Sequence, residues 1–160
     1  MFKKREKIVY PRHGAGKVID KFETQINGEK RKYYKLEFFD SPVDISIPIE
    51  DAEELGLRSP TSKYSLRKAL RSLGTRVKII DKLMRDLDNI YIEKIKSGDI
   101  DDAIYVVNLL RSLSAKKEKE SKNFSYTASQ RLDTALEFIR SEVALVLGKG
   151  AVKRYDLSTE

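Results

Sequence analysis

Val9–Val18, VYPRHGAGKV, is the stretch whose reading decides the N-terminal fold. Pro11 has no N–H to give to a ladder and ends a strand. Gly14 and Gly16 open backbone angles that a side chain forbids. The stretch reads as the end of one strand, a tight glycine-hinged corner and the start of the next. On its N-terminal side, Lys7–Tyr10 alternates and forms the first strand; on its C-terminal side, Lys17–Phe22 forms the second. Asn27-Gly28 is a hairpin signal, because both residues accept the positive φ of a type I′ turn. Arg31–Phe39, RKYYKLEFF, is aromatic-rich and suits a strand. Ser41-Pro42 breaks it. Asp44–Ile49 alternates with Ile45, Ile47 and Ile49 on one face, and Pro48 falls on the other parity, at an edge or strand end. Four or five short strands in about 50 residues predict a small SH3- or Tudor-like β barrel.

From Ser62 the period changes to that of helices. Leu66, Ala69, Leu70 and Leu73 share one helix face, ended by Gly74. Val77, Ile80, Met84, Leu87, Tyr91 and Ile95 predict a second amphipathic helix, running to Ser97-Gly98. Asp99 caps a third, with Ala103, Val106, Val107, Leu110 and Leu113 inward. Residues 115–123 are polar, either the end of that helix or a loop. Ser125 or Thr127 caps the last helix, and Thr127 and Gln130 have capping-box spacing. Its stripe is Leu132, Ala135, Leu136, Ile139 and Val143, and Gly148 and Gly150 stop it. The fold class is α+β: a β module over residues 1–58, an all-α domain over 61–148 and a mobile tail over 149–160.

The charge is uneven. The net +7 of the 160 residues resides in residues 63–85, where eight cations face only Asp81. The segment before it is near neutral, with 12 basic and 11 acidic residues, as is the one after it, with 12 and 13. A concentrated basic segment attracts polyanions by Coulomb forces and counterion release. Lys63, Arg67, Lys68, Arg71, Arg76, Lys78, Lys82 and Arg85 are the candidate phosphate contacts. They cannot all share one face, and each alone also fits a solvated side chain.

Catalytic chemistry finds little support. There is no Cys and a single His, His13; a nucleophile–base pair and a cluster of metal ligands both need more. The turn setting of His13 favours local contacts over ligation. Asp99, Asp101 and Asp102 have the chemistry for a hard cation, but also suit a helix N-terminus. HGAGKV lacks the phosphate-loop spacing. No enzyme activity, cofactor or metal is expected. No apolar run reaches the roughly 18–20 residues that span a bilayer, and no signal peptide is visible. A cytoplasmic, nucleoid-associated monomer away from membranes is the expectation.

The β-then-helical order resembles the CarD/CdnL family of bacterial RNA-polymerase-binding transcription regulators. The residues that carry it are VYPRHGAGKV, NGEKRKYYKLEF, ISIPIEDAEELGLR, EKIKSGDIDDAIYVVNLLR and SQRLDTALEFIRSEVALVLG, in that order over residues 3–148. The resemblance implies a Tudor-like module that binds the polymerase β-subunit lobe. It implies a helical domain that contacts promoter DNA at the upstream edge of the melted region, with a Trp wedged in the minor groove, and an altered open-complex lifetime.

This chain departs from that pattern. It has no Trp. Counted back from Ser97-Gly98-Asp99, the wedge position falls at about Met84, an apolar residue able to insert between bases but, as part of the apolar stripe, better suited to a core. The following basic positions fall near Asp86 and Asn89, with Arg85 beside them. The family's polymerase contacts fall near Thr24 and Ser46, with Lys21, Lys30, Arg31 and Lys32 nearby. Two other readings stand beside the leading one. One is a module that binds polymerase only, favoured by the missing Trp. The other is an autonomous nucleic-acid binder, with Tyr33 or Tyr34 free to stack on bases.

Overall fold

The alternating segments before residue 50 fold into four strands, β1 (Lys7–Tyr10), β2 (Gly14–Ile26), β3 (Glu29–Phe38) and β4 (Ser41–Pro48). In the computed structural model, which describes residues 1–157, they form one antiparallel sheet in the order β1-β2-β3-β4. Asn27 and Gly28 turn the β2–β3 hairpin with φ of 51° and 83°, as a two-residue primed turn requires. Register shifts between Val18 and Asp20 and between Glu37 and Phe38 curl the sheet. The free edge of β1 is met by Arg58, whose backbone exchanges hydrogen bonds with Val9 at 2.8 and 3.0 Å. The module is thus a curled half-barrel whose far edge, β4, does not pair with β1.

Two boundaries differ from the expectation. β2 begins at Gly14, because Gly14 and Gly16 pair with Tyr10 and Ile8 across the ladder. The corner is therefore Pro11-Arg12-His13. Ser41-Pro42 opens β4 instead of breaking the chain. The turn falls at Phe39-Asp40, and Pro42 is tolerated because β4 is an edge strand.

Six helices follow: α1 (Lys63–Leu70), α2 (Asp81–Arg85), α3 (Leu87–Ser97), α4 (Ile100–Lys119), α5 (Tyr126–Leu147) and α6 (Lys149–Arg154). Ser62, Asp99 and Ser125 cap α1, α4 and α5 by accepting from backbone N–H groups of the first turn. The expected single helix through Val77 and Ile95 is divided. Residues 75–80 form no helix or strand, and α2 and α3 are separated by a break at Asp86, where φ is −95° and ψ is 4°. The reason lies in α4. Its Asn108 and Ser112 accept the N–H groups of Gly74 and Val77 at 2.8 and 2.9 Å, satisfying this backbone without a helix. The β-branched run Val77, Ile79 and Ile80 adds little helix propensity. Residues 149–157 are not a mobile tail. Gly148 (φ 90°) redirects the chain into α6, and Ala151 and Leu157 are buried; residues 158–160 lie outside the described residues.

Two apolar cores result. Ile8, Val18, Tyr34, Leu36, Phe38 and Ile47 fill the β module. Leu66, Val107, Leu110, Ala135, Ile139 and Val143 lie in the helical core, and Val9 lies with them. Adjacent strand residues point to opposite faces, so Ile8 and Val9 bury β1 from both sides.

Candidate nucleic-acid interface and the joint behind it

The quoted corner is where the two cores meet. The Arg58 guanidinium donates to both carboxylate oxygens of Glu142 at 2.7 Å, and its Nε donates to the Gly98 carbonyl at 2.8 Å. Glu142 has no exposed surface and also accepts the Thr61 N–H at 2.8 Å. Burial on its own would push the Glu142 carboxyl up. The Arg58 fork and the Thr61 N–H outweigh it and hold the carboxyl below its ordinary value. Gly14 (φ +78°) lies against α5, where an added Cβ would sit 2.1 Å from Ser141 Oγ. That hydroxyl accepts the Ala15 N–H at 3.0 Å and donates to the Phe138 carbonyl at 2.9 Å. The ring of Pro11 packs against Gly56 and Gly98, leaving no room for a side chain at either.

The basic segment is its opposite. Lys63, Arg67 and Lys68 stand on α1 and Arg71 at its C-cap, Arg76 and Lys78 on the connection 75–80, and Lys82 and Arg85 on α2. All eight are exposed, and none forms an ion pair among the described residues. Met84 is half-buried on α2, a helix with no buried residue, so it is neither a core side chain nor a free wedge. Asp86 and Asn89 are exposed beside Arg85. The connection 75–80 lies against the end of α4 and forms a groove of about 270 Å³ lined by Arg76, Lys78, Lys116 and Lys119, with no carboxylate. Lys116 and Lys119 were hidden from a segment-by-segment charge count, because the acidic residues after residue 86 cancel them. The run of lysines near the end of α4 was the available signal.

The sheet divides the other candidates. Thr24 pairs with Arg31 and Ser46 with Lys35, on the face where Phe22 and Tyr33 stack at 5.5 Å between ring centroids. Lys21 pairs with Tyr34, Lys32 with Glu23 and Lys30 with Gln25, on the opposite face. Lys21 Nζ lies 5.6 Å from the Tyr34 ring. Tyr34 is buried and its hydroxyl accepts the Phe2 N–H, while Tyr33 is half-buried against Phe22. Of the six candidates, Thr24, Arg31 and Ser46 thus form one set.

Two of the three acidic side chains are spoken for. Asp99 caps α4, and Asp102 accepts from Lys94 Nζ at 2.9 Å and from Ser97 Oγ at 2.8 Å. The Asp102 hydrogen bond holds the Lys94 ammonium above its ordinary range. His13 stacks on Phe38 at 5.1 Å, and burial, aided by Arg12, lowers its pKa from the usual histidine value. Among the described residues no group of His, Cys, Asp or Glu is placed to hold a metal ion, and no helix is long and apolar enough to cross a membrane.

Residues 2–60 match the family model described as the CarD-like/TRCF RID domain. The match spans the half-barrel and ends just past Arg58. The chain is also similar to a protein of Bacillus subtilis (strain 168) named "Putative transcription factor YdeB". The two are 29% identical over 150 residues, which cover 92% of this chain and 94% of the relative. The N-terminal part of this chain is thus similar to the CarD-like domain. The matched half-barrel is a transcription-related, RNA-polymerase-interacting type of domain, joined here to six helices.

Proposed function

We propose that this CarD-like chain is a transcription regulator that bridges RNA polymerase and promoter DNA. The half-barrel, residues 1–58, binds the β-subunit lobe through the face carrying Thr24, Arg31 and Ser46. The helical domain, residues 61–148, holds duplex DNA through the basic segment. Bound at both ends, the protein changes the stability of the open complex, as a monomer acting at the nucleoid and without turnover or cofactor. The observation that carries the DNA half is the set of eight exposed, unpaired cations in residues 63–85. Surface charge that the fold does not neutralise is available to phosphates. If six of the eight met phosphates, the salt slope would be about −5, at roughly 0.9 per contact. Sequence preference would be weak, because phosphates carry no sequence information. Half-buried Met84, in place of an exposed Trp, favours a second reading in which the chain binds polymerase alone.

The polymerase half is tested by co-elution of the full chain with RNA polymerase core enzyme. Arg31→Glu with Ser46→Glu is expected to abolish it, and Lys30→Glu with Lys32→Glu, on the opposite face, to preserve it. Deleting residues 1–58 would be a poor test, since Val9 and Arg58 complete the helical domain. Co-elution unchanged by the first pair would remove that face from the account.

A further inference from the structure

The outer face of α1 carries one residue that charge counting does not explain. Tyr64, Arg67, Lys68 and Arg71 recur at the spacing of a single helix face, opposite the buried Leu66, Ala69 and Leu70. Tyr64 is 75% exposed and makes no hydrogen bond or ring contact among the described residues. Tyr126 is as exposed, but its hydroxyl accepts from Gln130 Nε2 at 2.8 Å and no cation follows it at helical spacing. No Asp or Glu occurs between Glu54 and Asp81, so no carboxylate neighbour in sequence competes for the cations.

We infer that this face of α1 binds unpaired nucleic acid, with Tyr64 as a stacking platform for one base and Arg67, Lys68 and Arg71 as contacts to the flanking phosphates. The inference rests on the reading of the basic segment as a nucleic-acid surface that holds duplex DNA and adds a second form, an unpaired strand, that the α1 face takes. A flat ring among cations matches a strand whose bases are open. In a duplex the faces of the bases are covered by their neighbours, and an exposed ring adds nothing to phosphate attraction. In a single strand every base offers a π-face, and stacking on an aromatic side chain is tolerant of sequence. An acidic peptide would meet the three cations and leave the ring unused.

The test uses the full chain, a labelled oligothymidylate and a labelled duplex of the same length. Tyr64→Ala is expected to weaken oligothymidylate binding about tenfold and to leave duplex binding unchanged. Tyr64→Phe keeps the ring and retains the affinity. The chain has no Trp, so Tyr64→Trp installs a single reporter, whose emission is quenched by oligothymidylate and not by duplex. Equal losses on both probes for Tyr64→Ala, or no loss on either, overturn the inference while the basic segment stands. Displacement of oligothymidylate by polyglutamate at equal charge also overturns it, in favour of an acidic protein partner. Charge reversal of Arg67, Lys68 and Arg71 without effect on either probe would instead reject the nucleic-acid reading itself.

Discussion

The joint and the basic segment lie next to each other in the chain and treat charge in opposite ways. At the joint, Glu142 is sealed from water, its fork with Arg58 holds the half-barrel against α5, and it also accepts the Thr61 N–H. Five residues after Arg58 the chain enters α1, and the next eight cations all point to solvent without a partner. Burying a charge costs several kcal/mol unless it is paired and hydrogen-bonded, so the joint spends its polar groups on shape. Leaving like charges unpaired repels them from one another and contributes nothing to the fold. One region therefore fixes geometry, and the other is left over for a polyanion.

That contrast breaks most visibly at Arg58. Arg58→Ala leaves the Glu142 carboxylate buried without its partner and should destabilise the chain by about 3–5 kcal/mol in urea unfolding. Replacing both residues with apolar ones of similar size should cost less than the single change. A loss for Arg58→Ala no larger than that of an exposed surface substitution would show that the joint does not hold the modules together.

Acid sharpens the same comparison. The Glu142 carboxyl is held below its ordinary value near 4.5 in the folded chain. Below about 4.5 the unfolded state takes up the proton first, so this stabilisation is complete above that pH and is lost as pH falls toward the folded value. Asp102 is also held low: burial opposes this, and the hydrogen bonds from Lys94 and Ser97 outweigh it, so it adds in the same direction. Urea midpoints followed below pH 5 should therefore fall steeply for the native chain and less steeply for Glu142→Gln. Parallel curves would mean that the pair contributes nothing to acid sensitivity.

Much of this fold is legible in the sequence, for local reasons. Lys7–Tyr10, the Asn27-Gly28 hairpin and the cap at Asp99 depend on neighbouring residues and stand where the pattern puts them. The break in the Val77–Ile95 stripe is not local: Asn108 and Ser112, more than thirty residues on, take its backbone N–H groups. The joint is still less legible, because Glu142 lies 84 residues from Arg58 and reads as an ordinary polar position on an amphipathic helix. The glycines of VYPRHGAGKV announce a tight place, but only the fold shows that Ser141 of α5 is what presses on Gly14. For the candidate surface, the eight cations were evident from composition. Lys116 and Lys119 join them only because the connection 75–80 lies against α4.

The central claim is that the charges of the basic segment serve binding and not folding. The most direct measurement is duplex DNA affinity across a salt series, with urea unfolding alongside, for the native chain and for Arg67→Glu with Lys68→Glu and Arg71→Glu. Stability should change by no more than about 0.5 kcal/mol per exposed site, while the salt slope shrinks by roughly 2.7, at about 0.9 per lost phosphate contact. An unchanged slope, or a loss of affinity that merely follows a loss of folding, would contradict the account.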